Sequence, residues 1–128
     1  MLLDNFYTLL SSESPDSITW TIRVELNPEH AIYQGHFPVV PGVCLLQLIK
    51  ECTEGIRWQK LQYTQVSSCK FLSVVNPVKT PCLSITLTFK DMEEGKLQLQ
   101  AEGTAKMEGT AKNECFIKLK AVLTSTKA

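Results

Sequence analysis

His36 stands in Tyr33-Gln-Gly-His-Phe-Pro-Val-Val-Pro-Gly-Val43, a proline-stiffened loop that runs into an apolar stretch with helical spacing. An imidazole with an ordinary pKa near ~6.5 can take a proton at neutral pH. Pro41 suits the first turn of a helix, so the N–H groups of Gly42 and Val43 fall among the donors that a helix start leaves unpaired. Gly42 also lets a ligand approach the backbone closely. The positive end of the helix dipole adds to the pull of those donors on negative charge. A base beside such donors is suited to removing a proton next to a carbonyl, because the donors stabilise the oxygen on which charge develops. Gln47 is the single polar residue between Val43 and Ile49, and Glu51 follows one helical turn later. Residues four apart share a helix face and are separated by about 6 Å along the axis. Glutamine donates and accepts hydrogen bonds but transfers no proton at neutral pH. Gln47 therefore reads equally as a site residue and as a structural partner of a loop carbonyl. Glu51, beside Lys50, Thr53 and Glu54, also fits the polar edge of a helix. His30 lacks the context of His36 and reads as solvated or loop-structural, and Cys44, inside an apolar run, reads as a core residue.

Leu45, Leu48, Ile49, Cys52 and Ile56 recur at helical spacing and predict a helix over Val43 to Arg57. Its first two turns are apolar nearly all round, as expected of a helix that a sheet wraps. Strict alternation predicts a half-buried strand from Ile18 to Leu26. Four further strands are expected, a less regular one through Tyr63 to Val75 and then Leu83 to Phe89, Leu97 to Ala101 and Cys115 to Leu123. Polar turns at Asp91 to Gly95 and Glu108 to Asn113 imply an antiparallel meander. Leu3, Phe6, Tyr7 and Leu10, spaced by three and four, predict a short N-terminal amphipathic helix. The expectation is one α+β domain over 1–128, an antiparallel sheet wrapped around a long central helix.

The chain has 128 residues, 44% apolar and 20% charged, with 13 basic and 13 acidic side chains. Such a composition folds as an ordinary globule. Zero net charge and the lack of a basic run argue against nucleic acid as a partner. No apolar stretch approaches the ~20 residues that span a bilayer, so no membrane span is expected. Without a basic N-terminal flank, and with five cysteines lacking any C-x-x-C spacing, the expected location is the reducing cytoplasm. With two histidines and no Cys/His cluster, no metal site is expected.

Gly35-His36-Phe37-Pro38 followed by Pro41-Gly42-Val43, with a weaker match at Lys70-Phe71 through Asn76-Pro77-Val78, resembles the β-hydroxyacyl-acyl carrier protein dehydratases of the FabA/FabZ type, which have the hotdog fold. The resemblance implies elimination of water from a (3R)-hydroxyacyl thioester to give a trans-2-enoyl thioester in fatty acid biosynthesis. The substrate would ride on the phosphopantetheine arm of acyl carrier protein, with no other cofactor. It implies His36 as the base, the Gly42 amide as the carbonyl donor, and Tyr33, Phe37 and Val43 as substrate contacts. It also implies a homodimer with the active site across the interface. The chain departs from the pattern in a shortened loop before Pro41 and in Gln47, which occupies the carboxylate position, while Glu51 stands where a glutamine is usual. Lys50, Arg57, Lys60 and Lys70 are the candidates for contacting an acidic carrier protein. Two other readings remain: an acyl thioesterase, with His36 or Glu51 activating water, and a non-catalytic or accessory acyl-binding subunit that pairs with an active homologue.

Overall fold

A computed structural model of the protein describes residues 6–16, 18–30, 39–106 and 113–125. Its elements run β1 (Tyr7–Glu13), β2 (Thr19–Leu26), α1 (Gly42–Arg57), β3 (Leu61–Phe71), β4 (Cys82–Asp91), β5 (Lys96–Lys106) and β6 (Asn113–Ser125). All six strands join one antiparallel sheet in the order β1-β2-β4-β5-β6-β3. The alternation that predicts β2, β4, β5 and β6 holds because the inward set faces the helix. Ile22 and Val24 of β2, Leu83, Ile85 and Leu87 of β4, Leu97 and Leu99 of β5 and Leu119 and Leu123 of β6 are all buried.

The helix meets them with Cys44, Leu45, Leu48, Ile49 and Cys52, the spacing of one face, and Thr53 is buried with its hydroxyl donating to the Ile49 carbonyl at 2.8 Å. It ends in Trp58, a left-handed residue with φ 56° whose N–H returns to the Glu54 carbonyl. The Tyr63 hydroxyl reaches from β3 to the Leu46 carbonyl at 2.8 Å and ties the middle of α1 to the sheet. Among the described residues no helix is long and apolar enough to cross a membrane.

The N-terminal helix expected from Leu3, Phe6, Tyr7 and Leu10 is not what forms. Residues 1–5 lie outside the described residues, and Tyr7–Glu13 is the edge strand β1, paired with β2 from Tyr7 opposite Leu26 to Glu13 opposite Thr21. A shift of register between Leu9 and Ser11 breaks its alternation, so apolar residues fall at spacings that mimic a helix. Pairing with a neighbouring strand outweighs so short a local signal. The sheet thus has six strands where five are expected from the sequence. The turn expected at Glu108 to Asn113 lies largely outside the described residues.

Candidate active site

Helix α1 begins without a cap. Pro41 is the N-cap residue, with no side chain bonding back to the helix start and no acidic residue in the first turn. The Pro41 carbonyl accepts from Cys44 N–H at 3.0 Å and Leu45 N–H at 3.3 Å. Among the described residues no group accepts from Gly42 or Val43 N–H. Amides without an acceptor among the described residues, at a dipole end with no acidic side chain in its first turn, are suited to stabilising a carbonyl oxygen or an anion. The Val40 N–H donates to the Val75 carbonyl at 2.9 Å, which fixes the chain just ahead of the helix. On the other side the Phe71 ring lies against Gly42, so closely that a Cβ there would meet its Cζ at 2.7 Å. A side chain at 42 would displace the Phe71 ring, which is half exposed. Val43, Phe71, Leu72, Val74 and Val78 are large apolar side chains left exposed around this end of the helix.

One turn into the helix Gln47 and Glu51 meet. The Gln47 amide donates from Nε2 to Glu51 Oε2 at 3.0 Å, and the Tyr7 hydroxyl donates to Glu51 Oε1 at 3.1 Å. Glu51 is 8% exposed, so it belongs to the interior and not to the polar edge of the helix. Both carboxylate oxygens accept, as a buried carboxylate requires. Burial above all, with Cys52 and Glu51 beside it, pushes the Tyr7 phenol well above its ordinary value, so its proton stays available for donation. Burial likewise pushes the Cys52 thiol up to about 12 and makes it a poor nucleophile. Tyr7, Glu51 and Cys52 open onto a cavity of about 480 Å³ between the later turns of α1 and the first two strands, whose other walls are Leu9, Ser12, Trp20, Ile22, Gly55, Ile56 and Trp58. Its apolar lining with a few convergent polar groups is the usual character of a small-molecule site.

Of the residues singled out in the sequence, Gly42 and Val43 stand at the open helix start and Gln47 and Glu51 bond to each other. Tyr33, His36 and Phe37 lie outside the described residues. The His30 ring lies edge-on to Phe6, at 5.3 Å between centroids. Arg57 is engaged by Asp91 and lies over the Phe89 ring at 6.0 Å, which ties up one of the four cations considered for a carrier protein. All five cysteines are free, and Cys44 is buried as expected. Among the described residues no group of three or more His, Cys, Asp and Glu side chains is placed to hold a metal ion. Tyr7 was not foreseen as a site residue. Its contact with Glu51 joins residues 44 apart in the chain, and no local pattern signals it.

One antiparallel sheet curled about a single long helix, with open amides at the helix start, defines the protein as a hotdog fold. A family model described as ApeI-like, ApeI dehydratase, matches residues 11–112, and the chain belongs to that family. The dehydratase kinship expected from the Gly-His-Phe-Pro motif therefore holds at the level of this family. No curated protein sequence matches the chain. Among solved structures it is similar to the dehydratase heterocomplex ApeI:P from Xenorhabdus doucetiae, at 17% identity over 91% of this chain and 96% of that one, with a TM-score of 0.66. It is similar also to an uncharacterized protein from Erwinia carotovora subsp. atroseptica, at 15% identity over 92% of this chain and 93% of that one, TM-score 0.68. An apo hexameric acyl-CoA thioesterase matches at 10% identity over 98% of this chain and 72% of that one, TM-score 0.59. At such identities the likeness concerns the fold.

Proposed function

We propose that the protein eliminates water from (3R)-hydroxyacyl thioesters carried on the phosphopantetheine arm of acyl carrier protein, giving trans-2-enoyl thioesters for fatty acid or related acyl-chain synthesis. The observation that carries this reading is the uncapped start of α1, whose Gly42 and Val43 amides have no acceptor among the described residues, directly after the His36 loop of an ApeI-like chain. In this reading the thioester oxygen lies against the Gly42 N–H, which acidifies the α-carbon. His36 takes the α-proton, the electron pair closes the double bond, and the carbon–oxygen bond breaks. The departing hydroxyl takes up a proton from the His36 imidazolium and leaves as water. The reaction is redox-neutral and balances with the substrate alone, so no further cofactor is called for. Gln47 orients the hydroxyl through a hydrogen bond, and Glu51, engaged on both oxygens, holds Gln47 and is not itself the acid.

Two copies of the chain complete the site in this reading. The long edge strand β3 has β6 as its one partner among the described residues, and Val66 and Phe71 on it are exposed. An unpaired edge of that length with apolar side chains is suited to pairing with a second chain. The five free thiols agree with a reducing cytoplasm. A second reading, an accessory subunit of a heteromeric dehydratase, is favoured by Gln47 in the carboxylate position and by the likeness to one chain of the ApeI:P heterocomplex.

The test is ultraviolet absorbance of the enoyl thioester formed from a 3-hydroxyacyl carrier-protein substrate by the purified chain, run beside Gln47→Glu. Conversion by the native chain alone is the expected result. An inert native chain with a gain in Gln47→Glu overturns it in favour of the accessory subunit, and release of free thiol in place of enoyl product overturns it in favour of thioester hydrolysis.

A further inference from the structure

Gln47 is an amide, and an amide has two different ends. A carboxylate in its place would offer acceptors whichever way it turned, whereas glutamine must be held the right way round to present its oxygen to a hydroxyl. Glu51 supplies that hold, since an ionised carboxylate has no proton to give and can bind only the nitrogen end, Nε2, at 3.0 Å. Glu51 is in turn held by Tyr7, whose hydroxyl occupies the other carboxylate oxygen at 3.1 Å. The three side chains come from β1 and from successive turns of α1, so a strand at the edge of the sheet reaches the helix that carries the site.

We infer that Tyr7 is a positioning residue that acts through Glu51 to fix the orientation of the Gln47 amide. This deepens the dehydratase reading and rests on it for the catalytic consequence. Removing the Tyr7 hydroxyl frees Glu51 Oε1 in a buried site, where an unsatisfied carboxylate oxygen recruits another donor. The second Gln47 N–H, the Cys52 thiol and water then compete for that oxygen, and a new set of partners rotates the Gln47 amide about its bond to Glu51 while its nitrogen end stays on the carboxylate. Burial keeps the Tyr7 phenol protonated, so the hold is expected to persist across the pH range in which His36 works.

Tyr7→Phe keeps the ring and removes the hydrogen bond. The expected result is a fall in kcat of about tenfold with KM changed less than twofold. In the Gln47→Glu background the same substitution should change kcat less than twofold, because a carboxylate at 47 has no N–H with which to hold on to Glu51. An equal tenfold loss in both backgrounds overturns the inference, since that is what a structural role for Tyr7 would give. An arm independent of catalysis follows the side-chain amide ¹H–¹⁵N resonances of the native chain and Tyr7→Phe. Those of Gln47 should move, while those of exposed Gln62 and Gln100 stay in place. Unmoved Gln47 resonances overturn the inference whatever the activity. Moved resonances in a chain whose native form yields no enoyl thioester support the positioning role and overturn the dehydratase reading instead.

Discussion

His36→Ala is expected to lower the rate of enoyl thioester formation by ~10²–10⁴-fold, the range that a positioned general base contributes. The site has few ways to make good the loss. Gln47 cannot carry a proton, both oxygens of Glu51 are engaged, and burial holds the Tyr7 phenol and the Cys52 thiol in their protonated forms. What survives is the helix start, where the Gly42 and Val43 amides still polarise a bound thioester. The residual rate should therefore remain above that of the uncatalysed reaction, with KM close to that of the native chain. Steady-state kinetics on the enoyl product, with a melting curve to show that the variant is folded, measure this directly. A loss under tenfold would remove His36 from the role of base.

Among the described glycines, Gly103 is the one whose change to alanine is expected to cost the most stability. Gly103 lies on the inner face of β5, where a Cβ would stand 2.4 Å from Phe116 Cζ, 2.8 Å from its Cε1 and 2.9 Å from Ile117 Cγ2. Phe116 and Ile117 are both wholly buried, so neither can swing out into solvent. Inward side chains along β5 shrink from Leu97 and Leu99 through Ala101 to Gly103, and the Phe116 ring fills the space they leave. Overpacking of this kind costs about 3 kcal/mol when surroundings cannot yield, and roughly 10 °C in Tm for a domain of this size. Gly55→Ala is the control: a Cβ there meets nothing within 4 Å, and alanine in mid-helix is favoured over glycine by about 1 kcal/mol. Urea unfolding of both variants should move the midpoint in opposite directions. Equal midpoints would show that the Phe116 ring is less confined than its burial implies.

The helix and four strands were legible because a single environment acts on each of them. Expected over Val43 to Arg57, α1 forms over Gly42–Arg57, since a helix enclosed by a curved sheet shows its burial directly as apolar spacing. Strands β2, β4, β5 and β6 each have one face on that helix, so burial alternates with the pleat. Irregular pairing hid the rest. Alternation from Cys115 to Leu123 would turn Phe116 away from the core. A register shift between Gly103 and Thr104 leaves Phe116 without a partner on β5 and lets it bury beside Ile117. The shift in β1 likewise interrupts its pattern, leaving Leu10 without a partner on β2. At the site, the open helix start could be read from Pro41-Gly42, a local signal. Whether Glu51 faced solvent or the interior depended on Tyr7, and nothing within a helical turn of Glu51 reveals that.

The cavity beside Glu51 has an optical consequence. Its walls include both tryptophans of the chain, Trp20 from the second strand and Trp58 from the end of the helix, the latter 93% exposed. Indole emission moves to shorter wavelength as water is withdrawn, and an apolar tail entering this space would withdraw water from Trp58. If the acyl chain of the proposed substrate enters this space, Trp58 is an unlabelled reporter of its occupancy. Titration with a non-reactive acyl thioester is expected to shift its emission to the blue, and Trp58→Phe should abolish most of that shift.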